Sequence, residues 1–345
     1  KKIFSQYVAC LSTLSLIIIE IYMARCLIHV GTHKTGTTTL QAILKSCREE
    51  LRASDIFYPL TNDERCHNSL AHLLASCSDQ ELDSIRIKFR ELFNQQNSGF
   101  ARLLLSAEEF STRICLAKPW AGLQENFIEK RRFYLSRLKS LLIDFDSIDF
   151  YLCFRDHEEY AHSLYATKII SGQVSCSFEE FVENCSPIFN YRIQALLFEE
   201  IGTLHMIRYE DIKNDLQGEF SSWLNLPGGM PVRAVSLKKT PPLHYIYWLS
   251  RSVCGGTSIK ERKLRRKFCW VMQDSEPKDA VDSSLWKSLG NRERFLSMCY
   301  DEKGEKYQPS MRTVCPFSLE RAADAIEQQF IVWRRAKKGW KSIFS

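Results

Sequence analysis

The residues most suited to chemistry stand just after the first apolar run of the chain. The run ends at Gly31, and a stretch rich in hydroxyl groups, G-T-H-K-T-G-T-T-T, leads into a helical pattern. The order predicts a strand, a tight loop and a helix, and free backbone N–H groups at a helix start bind phosphate-like anions. Lys34 places a cation inside this loop. The stretch therefore predicts a binding site for a phosphate or sulfate group.

The position of the lysine narrows the kind of ligand. In the ATP- and GTP-binding loop, G-x-x-x-x-G-K-[ST], the lysine follows the second glycine. Gly31 and Gly36 have that glycine spacing here, but Thr37 stands where the lysine would be. The cation is Lys34, within the loop, which disfavours a nucleotide kinase.

The loop resembles the 5′-phosphosulfate loop of bacterial sulfotransferases, in which G-x-H-K-T-G-T-T-x-L-Q recurs. This resemblance implies that 3′-phosphoadenosine 5′-phosphosulfate is the donor and that no metal is needed. It places the lysine near the bridging oxygen of the donor, where it neutralises the leaving phosphate. The residues assigned in this way to the donor are Lys34, Thr35, Gly36, Thr37 and Thr38.

A second anchor is expected for the 3′-phosphate of the donor. In the resembled family it is an arginine at a strand end and a serine eight positions later, which here match Arg155 and Ser163. A guanidinium suits phosphate because it offers a fork of permanently charged donors. The family's longer form, with a proline and a second arginine, is absent. His157 and Tyr160 occupy those places.

Two residues are candidates for the general base that takes the proton of an acceptor hydroxyl. Glu108 follows L-L-L-S-A, which resembles the strand-end L-x-S-[SA]-E of the bacterial relatives. His33 stands beside Lys34 in the loop. Each also has a structural interpretation: Glu108 as a carboxylate at a helix N-terminus, and His33 as a brace of the loop.

The elements that must position these residues follow from hydrophobic periodicity. Strands are expected from about Cys26 and over 102–106, 148–154 and 203–208. Helices are expected over 38–51, 79–93, 127–143, 158–170, 178–183, 191–200, 216–224 and 318–335. The alternation predicts a three-layer α/β fold, with a mostly parallel sheet, helices on both faces and the architecture of P-loop NTPases and sulfotransferases. Ligands bind such sheets at the carboxyl ends of the strands.

Composition and charge fit one large domain. The chain has 345 residues, 45% of them hydrophobic, and a net charge of +6. We divide it into a hydrophobic extension over 1–24, an α/β core over 25–232 and a helical, basic part of the same domain over 233–345, where an acceptor is expected to bind. A basic run over 260–267 is interpreted as a solvated helix face, with an anionic acceptor or a membrane surface as the alternative.

Thirteen cysteines are scattered through the chain without a C-x-x-C pair. This pattern disfavours both a zinc site and a regular disulfide framework, and it indicates buried, reduced thiols. Reduced thiols fit a cytoplasmic protein, in the compartment where the implied donor is made.

Residues 3–22 are apolar and follow two lysines. Three interpretations stay open: an extension of the gene model or a tail, a membrane anchor, and an extra core helix. Glu20 interrupts the run, and Met23 lies just before the first expected strand. An anchor would place the protein at the inner face of the membrane.

Together these features predict a sulfotransferase that modifies a hydroxyl group, with a carbohydrate or glycolipid as the acceptor by family analogy. A P-loop kinase acting on a nucleotide or small molecule is one alternative, although Asp156, the nearest candidate for a magnesium ligand, stands beside Arg155. A non-catalytic nucleotide-binding homologue is the other. No nucleic-acid motif accompanies the basic run, so a nucleic-acid partner is not expected.

Overall fold

A five-stranded parallel sheet forms the centre of the protein in a computed structural model, which describes residues 25–60, 66–96, 100–115, 126–230, 241, 243–272, 289–299 and 316–343. The strands are β1 (Arg25–His29), β2 (Ile56–Phe57), β3 (Arg102–Ser106), β4 (Ser147–Phe154) and β5 (Thr203–Arg208). Their order across the sheet is β2-β3-β1-β4-β5, and every pair is parallel. Strand β1 is therefore central. Because the strands are parallel, a crossover connection joins each strand to the next one in the chain.

Helices join the strands and follow them. The first group is α1 (Thr37–Ser46), α2 (Arg48–Ala53), α3 (Asn68–Ser76), α4 (Asp79–Gln96), α5 (Glu109–Thr112), α6 (Phe127–Leu141), α7 (His157–Ser171), α8 (Phe178–Asn184), α9 (Ser186–Phe189) and α10 (Tyr191–Glu199). The second is α11 (Tyr209–Ile212), α12 (Leu216–Trp223), α13 (Leu243–Cys254), α14 (Ile259–Val271), α15 (Leu289–Cys299) and α16 (Pro316–Ile343).

The two faces of the sheet carry separate hydrophobic cores, because successive side chains of a strand point to opposite faces. Ile28 of β1 pairs with Leu105 and Phe150, and all three pack with helices α3, α4, α6 and α10. Leu27 and Leu104 point the other way and pack with α1, α2 and α12. Helices on both faces confirm the α/β fold class that the sequence predicts.

A third hydrophobic cluster lies beside the sheet and joins α7, α8 and α9 to helices α13 to α16. Trp248 and Phe268 contribute rings from the C-terminal part, and the hydroxyl of Tyr165 lies 2.5 Å from that of Ser250. The helices after residue 242 thus bury apolar side chains against α7. The predicted boundary at 232 lies outside the described residues.

One predicted helix is wrong in its extent. The pattern over 38–51 predicts a continuous helix, but α1 ends at Ser46 and α2 begins at Arg48. Cys47 between them is buried with φ −106° and ψ 24°, and its N–H still bonds the carbonyls of Ile43 and Leu44. The turn lets Cys47 and Leu51 face the same core, which periodicity alone does not reveal. Strand β2 and helices α3, α9 and α11 are additional to the predicted elements.

Segments 1–24 and 231–240 lie outside the described residues, and so does the apolar run 3–22. In the part of the chain that is described, none of the helices is long and apolar enough to cross a bilayer. The cysteines there are free thiols, most of them buried.

Candidate functional site

The loop between β1 and α1 lies at the carboxyl edge of the sheet and adopts an unusual backbone. Gly31, Lys34 and Gly36 have φ angles of 34°, 72° and 76°. A Cβ on Gly36 would lie 2.6 Å from Cδ2 of Leu216, so glycine is required there by space as well as by φ. Lys34 is an L-residue held in the left-handed region, where strain concentrates at functional sites.

Hydrogen bonds hold the loop against the next strand. The N–H and the hydroxyl of Thr32 both donate to the carbonyl of Cys153, over 2.9 and 3.0 Å. The hydroxyl of Thr35 donates to the carbonyl of Thr32 over 2.7 Å. Thr35 therefore uses its hydroxyl to shape the loop, and its backbone remains the part suited to an anion.

Helix α1 begins directly after the loop. Its N-cap is Gly36, which offers no side chain to cap the first N–H groups. The first turn contains no acidic residue, and Thr38 is exposed. An uncapped, positively polarised helix start fits the phosphate group that the sequence assigns to it.

Glu108, one of the two candidate bases, lies beside this helix start. It follows β3, and its Oε2 accepts a hydrogen bond from the hydroxyl of Thr37. Its Oε1 lies 3.4 Å from Nδ1 of His33. The fold thus brings both candidate bases together with the first turn of α1, and in this state Thr37 binds Glu108 with the hydroxyl that the sequence assigns to the donor.

The surroundings of Glu108 favour its ionised form. Burial opposes ionisation, but the hydrogen bonds and charge of His33 and the Thr37 hydroxyl outweigh it and lower the pKa of Glu108 to about 2. The carboxylate is therefore ionised at neutral pH and is a weak base while these contacts last. A stronger base requires that at least one of them be lost when ligands bind.

Lys34 is half-buried within reach of two charged neighbours. Burial lowers the pKa of its ammonium group, the charge of Glu108 opposes that shift, and the charge of Arg155 adds to it. The lysine thus lies near an anion that follows β3 and a cation that follows β4. A negatively charged ligand would restore the balance of charge around it.

Arg155, which follows β4, reaches the loop. Its Nη1 donates to the carbonyl of Lys34 over 3.3 Å, and its Nη2 and Nε donate to Oε2 of Glu159 over 2.7 and 3.1 Å. Its guanidinium also lies 5.6 Å from the ring centre of Tyr209. The arginine therefore lies at the edge of the loop, and Glu159 occupies two of the N–H groups of its guanidinium.

Ser163 is half-buried on α7. It follows Glu159 by four residues, so the two share one face of the helix. The serine therefore lies one turn beyond the carboxylate that binds Arg155. A role for the pair in binding the 3′-phosphate remains a prediction.

Behind His33 lies a group of buried charges that sequence reasoning missed. Nε2 of His33 is 3.9 Å from Glu109, and Glu109 accepts a hydrogen bond from Arg113 over 2.7 Å. Lys168 of α7 is buried nearby, and burial lowers its pKa to about 8, although Glu109 opposes the shift. The doubled glutamate after β3 is the only signal of this group in the sequence.

Arg131 of α6 fixes the short helix that carries these glutamates. It is fully buried and donates to the carbonyls of Phe110 and Arg113, over 2.5 and 2.8 Å. Burial lowers its pKa to about 10. The guanidinium satisfies the carbonyls at the end of α5, so that Glu108 and Glu109 start from a rigid turn.

One edge of the sheet therefore carries the loop, both candidate bases and Arg155. Among the described residues, no His, Cys, Asp and Glu side chains form a group suited to hold a metal ion. The expectation that no metal takes part stays a prediction.

Comparison with known proteins adds little to this geometry. No protein-family model matches the chain, and a search of curated proteins finds no match. Among solved structures, a sulfotransferase from Alicyclobacillus acidocaldarius superposes on 66% of this chain and 91% of its own, with 13% identity and a TM-score of 0.37. A likeness at that level carries no argument about activity.

Proposed function

We propose that the protein transfers a sulfuryl group from 3′-phosphoadenosine 5′-phosphosulfate to an acceptor hydroxyl. The observation that carries the proposal is the convergence of Lys34, Arg155 and Glu108 around the loop at the start of α1. Two cations suit the two phosphate positions of the donor, and a carboxylate beside them suits the removal of a proton. The resemblance of the loop to that of bacterial sulfotransferases supports the same conclusion.

Each group has one task in the transfer. The acceptor oxygen forms a bond to sulfur while the bond from sulfur to the bridging oxygen breaks, and 3′,5′-adenosine bisphosphate leaves. Lys34 and the N–H groups of α1 stabilise the negative charge that grows on the leaving phosphate. Glu108 accepts the proton of the acceptor hydroxyl, and His33 orients its carboxylate.

A base with a pKa of about 2 accepts a proton poorly, so the role of Glu108 depends on a change in its contacts. We propose that the donor phosphate takes over the hydroxyl of Thr37. Glu108 would then lose one of the donors that stabilise its charge, and its basicity would rise when the donor is in place.

The kinase alternative is less well supported by the geometry. In a nucleotide kinase loop the residue after the second glycine is the lysine that binds the phosphates. Here that residue is Thr37, and its hydroxyl binds a carboxylate. The cation comes from within the loop, where a left-handed φ of 72° holds Lys34.

The acceptor is proposed to be a carbohydrate or glycolipid hydroxyl, and residues 233–345 to contribute to its binding. This part of the proposal rests on the sequence resemblance. Cytoplasmic localisation, which rests on the reduced thiols, and association with a membrane, which rests on the apolar run 3–22, remain proposals.

Calorimetric titration of the full chain without added metal tests the proposed donor. We expect 3′,5′-adenosine bisphosphate to bind, Arg155→Ala to weaken that binding by at least about tenfold, as the loss of a charge-assisted hydrogen bond predicts, and Arg52→Ala, at an exposed arginine of α2, to leave it unchanged. Binding of ATP with Mg²⁺ alone would instead establish the kinase alternative. Binding of the bisphosphate without transfer to any of a panel of sugar acceptors would favour the non-catalytic homologue.

A further inference from the structure

The basic run over 260–267 lies on α14, and the helix divides its charges between two sides. Arg265 points inward, where it binds Glu327 over 2.8 Å and lies 4.8 Å from the ring centre of Trp248. Arg266 packs over the end of α7, since a Cβ on Gly172 would lie 2.4 Å from its Nη1. Both arginines therefore contact other parts of the fold, Arg265 as a buried residue and Arg266 as a half-buried one.

The lysines of the same run are exposed. They are Lys260, Lys263 and Lys267. The one acidic residue of α14, Glu261, lies away from them, 3.5 Å from Arg265 and 2.9 Å from Arg334. The charge of that glutamate is thus balanced by arginines. Within the part of the chain that the structure describes, the ion pairs do not include the three lysines, which give the exposed side of the helix a positive charge.

Large apolar side chains share this exposed side. Ile259, Trp270 and Val271 are 72%, 45% and 57% exposed. At about 100° per residue, the three apolar residues and the three lysines fall within an arc of about 120° around the helix axis. The buried residues Arg265, Phe268 and Cys269 lie on the opposite side. We call the arc of six residues the lysine–tryptophan face.

We propose that the lysine–tryptophan face binds the protein to the surface of a membrane that contains anionic lipids. Lysines attract anionic headgroups while their alkyl stems lie along apolar surface, and tryptophan is favoured at the boundary between headgroups and acyl chains. An acidic polysaccharide would match the lysines but gives no reason for three exposed apolar side chains among them. Charge complementarity and apolar exposure together therefore favour a lipid surface.

Binding to vesicles tests the proposal with the full chain. We expect the protein to sediment with vesicles that contain phosphatidylglycerol more strongly than with vesicles of phosphatidylcholine alone, and high salt to reduce the difference. The apolar run 3–22 is present in every protein compared, so any binding that it contributes is common to all.

Replacement of the three lysines by glutamine should lower the affinity for the anionic vesicles by on the order of 100-fold, from about a factor of five for each lysine. The matched control replaces three exposed lysines of other helices, Lys45, Lys88 and Lys139, by glutamine and should keep the affinity. Circular dichroism shows whether each variant is folded. Equal loss of affinity in both triple variants would overturn the proposal, because only net charge would then matter, and unchanged binding in the first variant would also overturn it.

Trp270→Ala separates a membrane from an acidic polymer. We expect it to weaken binding to anionic vesicles severalfold and to leave binding to heparin unchanged. If vesicle binding does not change, the face binds polyanions by charge alone and the membrane assignment is wrong. A wild-type protein that binds heparin but does not distinguish the two kinds of vesicle would overturn the assignment in the same way.

Discussion

Nδ1 of His33 lies 3.4 Å from Oε1 of Glu108, so the two candidate bases of the site are neighbours. At this distance the imidazole can hold the carboxylate in a fixed orientation. Glu108 contacts Thr37 in the first turn of α1, whereas His33 faces Glu109 and Thr112 on its other nitrogen. This arrangement is the reason for proposing the carboxylate as the base and the imidazole as its support.

Paired substitutions distinguish these roles. Glu108→Gln should reduce the rate constant of transfer by about 10² to 10⁴, the usual contribution of a general base. His33→Gln should reduce the rate constant less. It should also move the acid limb of the pH–rate profile to higher pH, because Glu108 loses the partner that most lowers its pKa. Steady-state rates from low to neutral pH give both results. A larger loss in His33→Gln, with no shift of the acid limb, would make His33 the base.

The low pKa of Glu108 also affects stability. A carboxyl with a folded pKa of about 2 and an ordinary value of 4.5 stabilises the fold above pH 4.5, and the contribution disappears as pH falls towards 2. Those values correspond to about 3 kcal/mol at pH 6 and about half as much at pH 3. Urea unfolding should therefore give the wild type a higher free energy of unfolding than Glu108→Gln, and this difference should shrink as the pH falls.

The control for this measurement is Glu49→Gln, at an exposed carboxylate of α2 that pairs with Arg52. Its free energy of unfolding should stay close to that of the wild type at both pH values, since exposed pairs contribute little. A pH-independent difference between the wild type and Glu108→Gln would contradict the assigned pKa.

Lys34 combines a charge with an unfavourable backbone conformation, and two substitutions separate them. Lys34→Ala and Lys34→Gly should each reduce transfer by about 10² or more, as removal of a group that stabilises the leaving phosphate does. Lys34→Gly should also be about 1 kcal/mol more stable than Lys34→Ala, because glycine adopts a φ of 72° without strain. Transfer assays and urea unfolding measure the two effects.

Lys45→Ala is the matched control, since Lys45 is an exposed lysine of α1 outside the loop. It should leave transfer unchanged. Near-normal transfer by Lys34→Ala would show that the loop has another function.

The sequence predicts most of this frame, for identifiable reasons. Strand β3 (Arg102–Ser106) and strand β5 (Thr203–Arg208) have the predicted bounds. In β3 a short apolar run between two polar residues leaves little choice of where the strand begins and ends. The break at Cys47 was not predicted, because both segments keep the same helical periodicity. Glu108 and Arg155 lie at the same edge of the sheet because each follows the end of a strand, and the ends of parallel strands meet at one edge.

The sequence could not predict which partners the charged side chains of the site contact. Glu108 and Glu109 are neighbours in the chain, yet one faces the first turn of α1 and the other faces Arg113. The position of Lys168 near this group depends on how α7 packs, and no local pattern encodes it. Likewise the contrast on α14 between the buried Arg265 and the exposed lysines becomes visible only when the buried side of the helix is known.

The bond between Arg155 and Glu159 leads to the final prediction. Nε and Nη2 of the arginine both donate to Oε2 of the glutamate, four residues later at the start of α7. A 3′-phosphate that binds Arg155 must displace this carboxylate or bear its repulsion. Glu159→Gln should therefore strengthen the binding of 3′,5′-adenosine bisphosphate by about three- to tenfold, as the removal of one nearby like charge predicts. In Arg155→Ala the same substitution should have a smaller effect, because no guanidinium remains for the carboxylate to occupy. Calorimetry of the two single variants and the double variant completes the cycle. If Glu159→Gln weakens binding, the glutamate orients the arginine for the phosphate and does not compete with it.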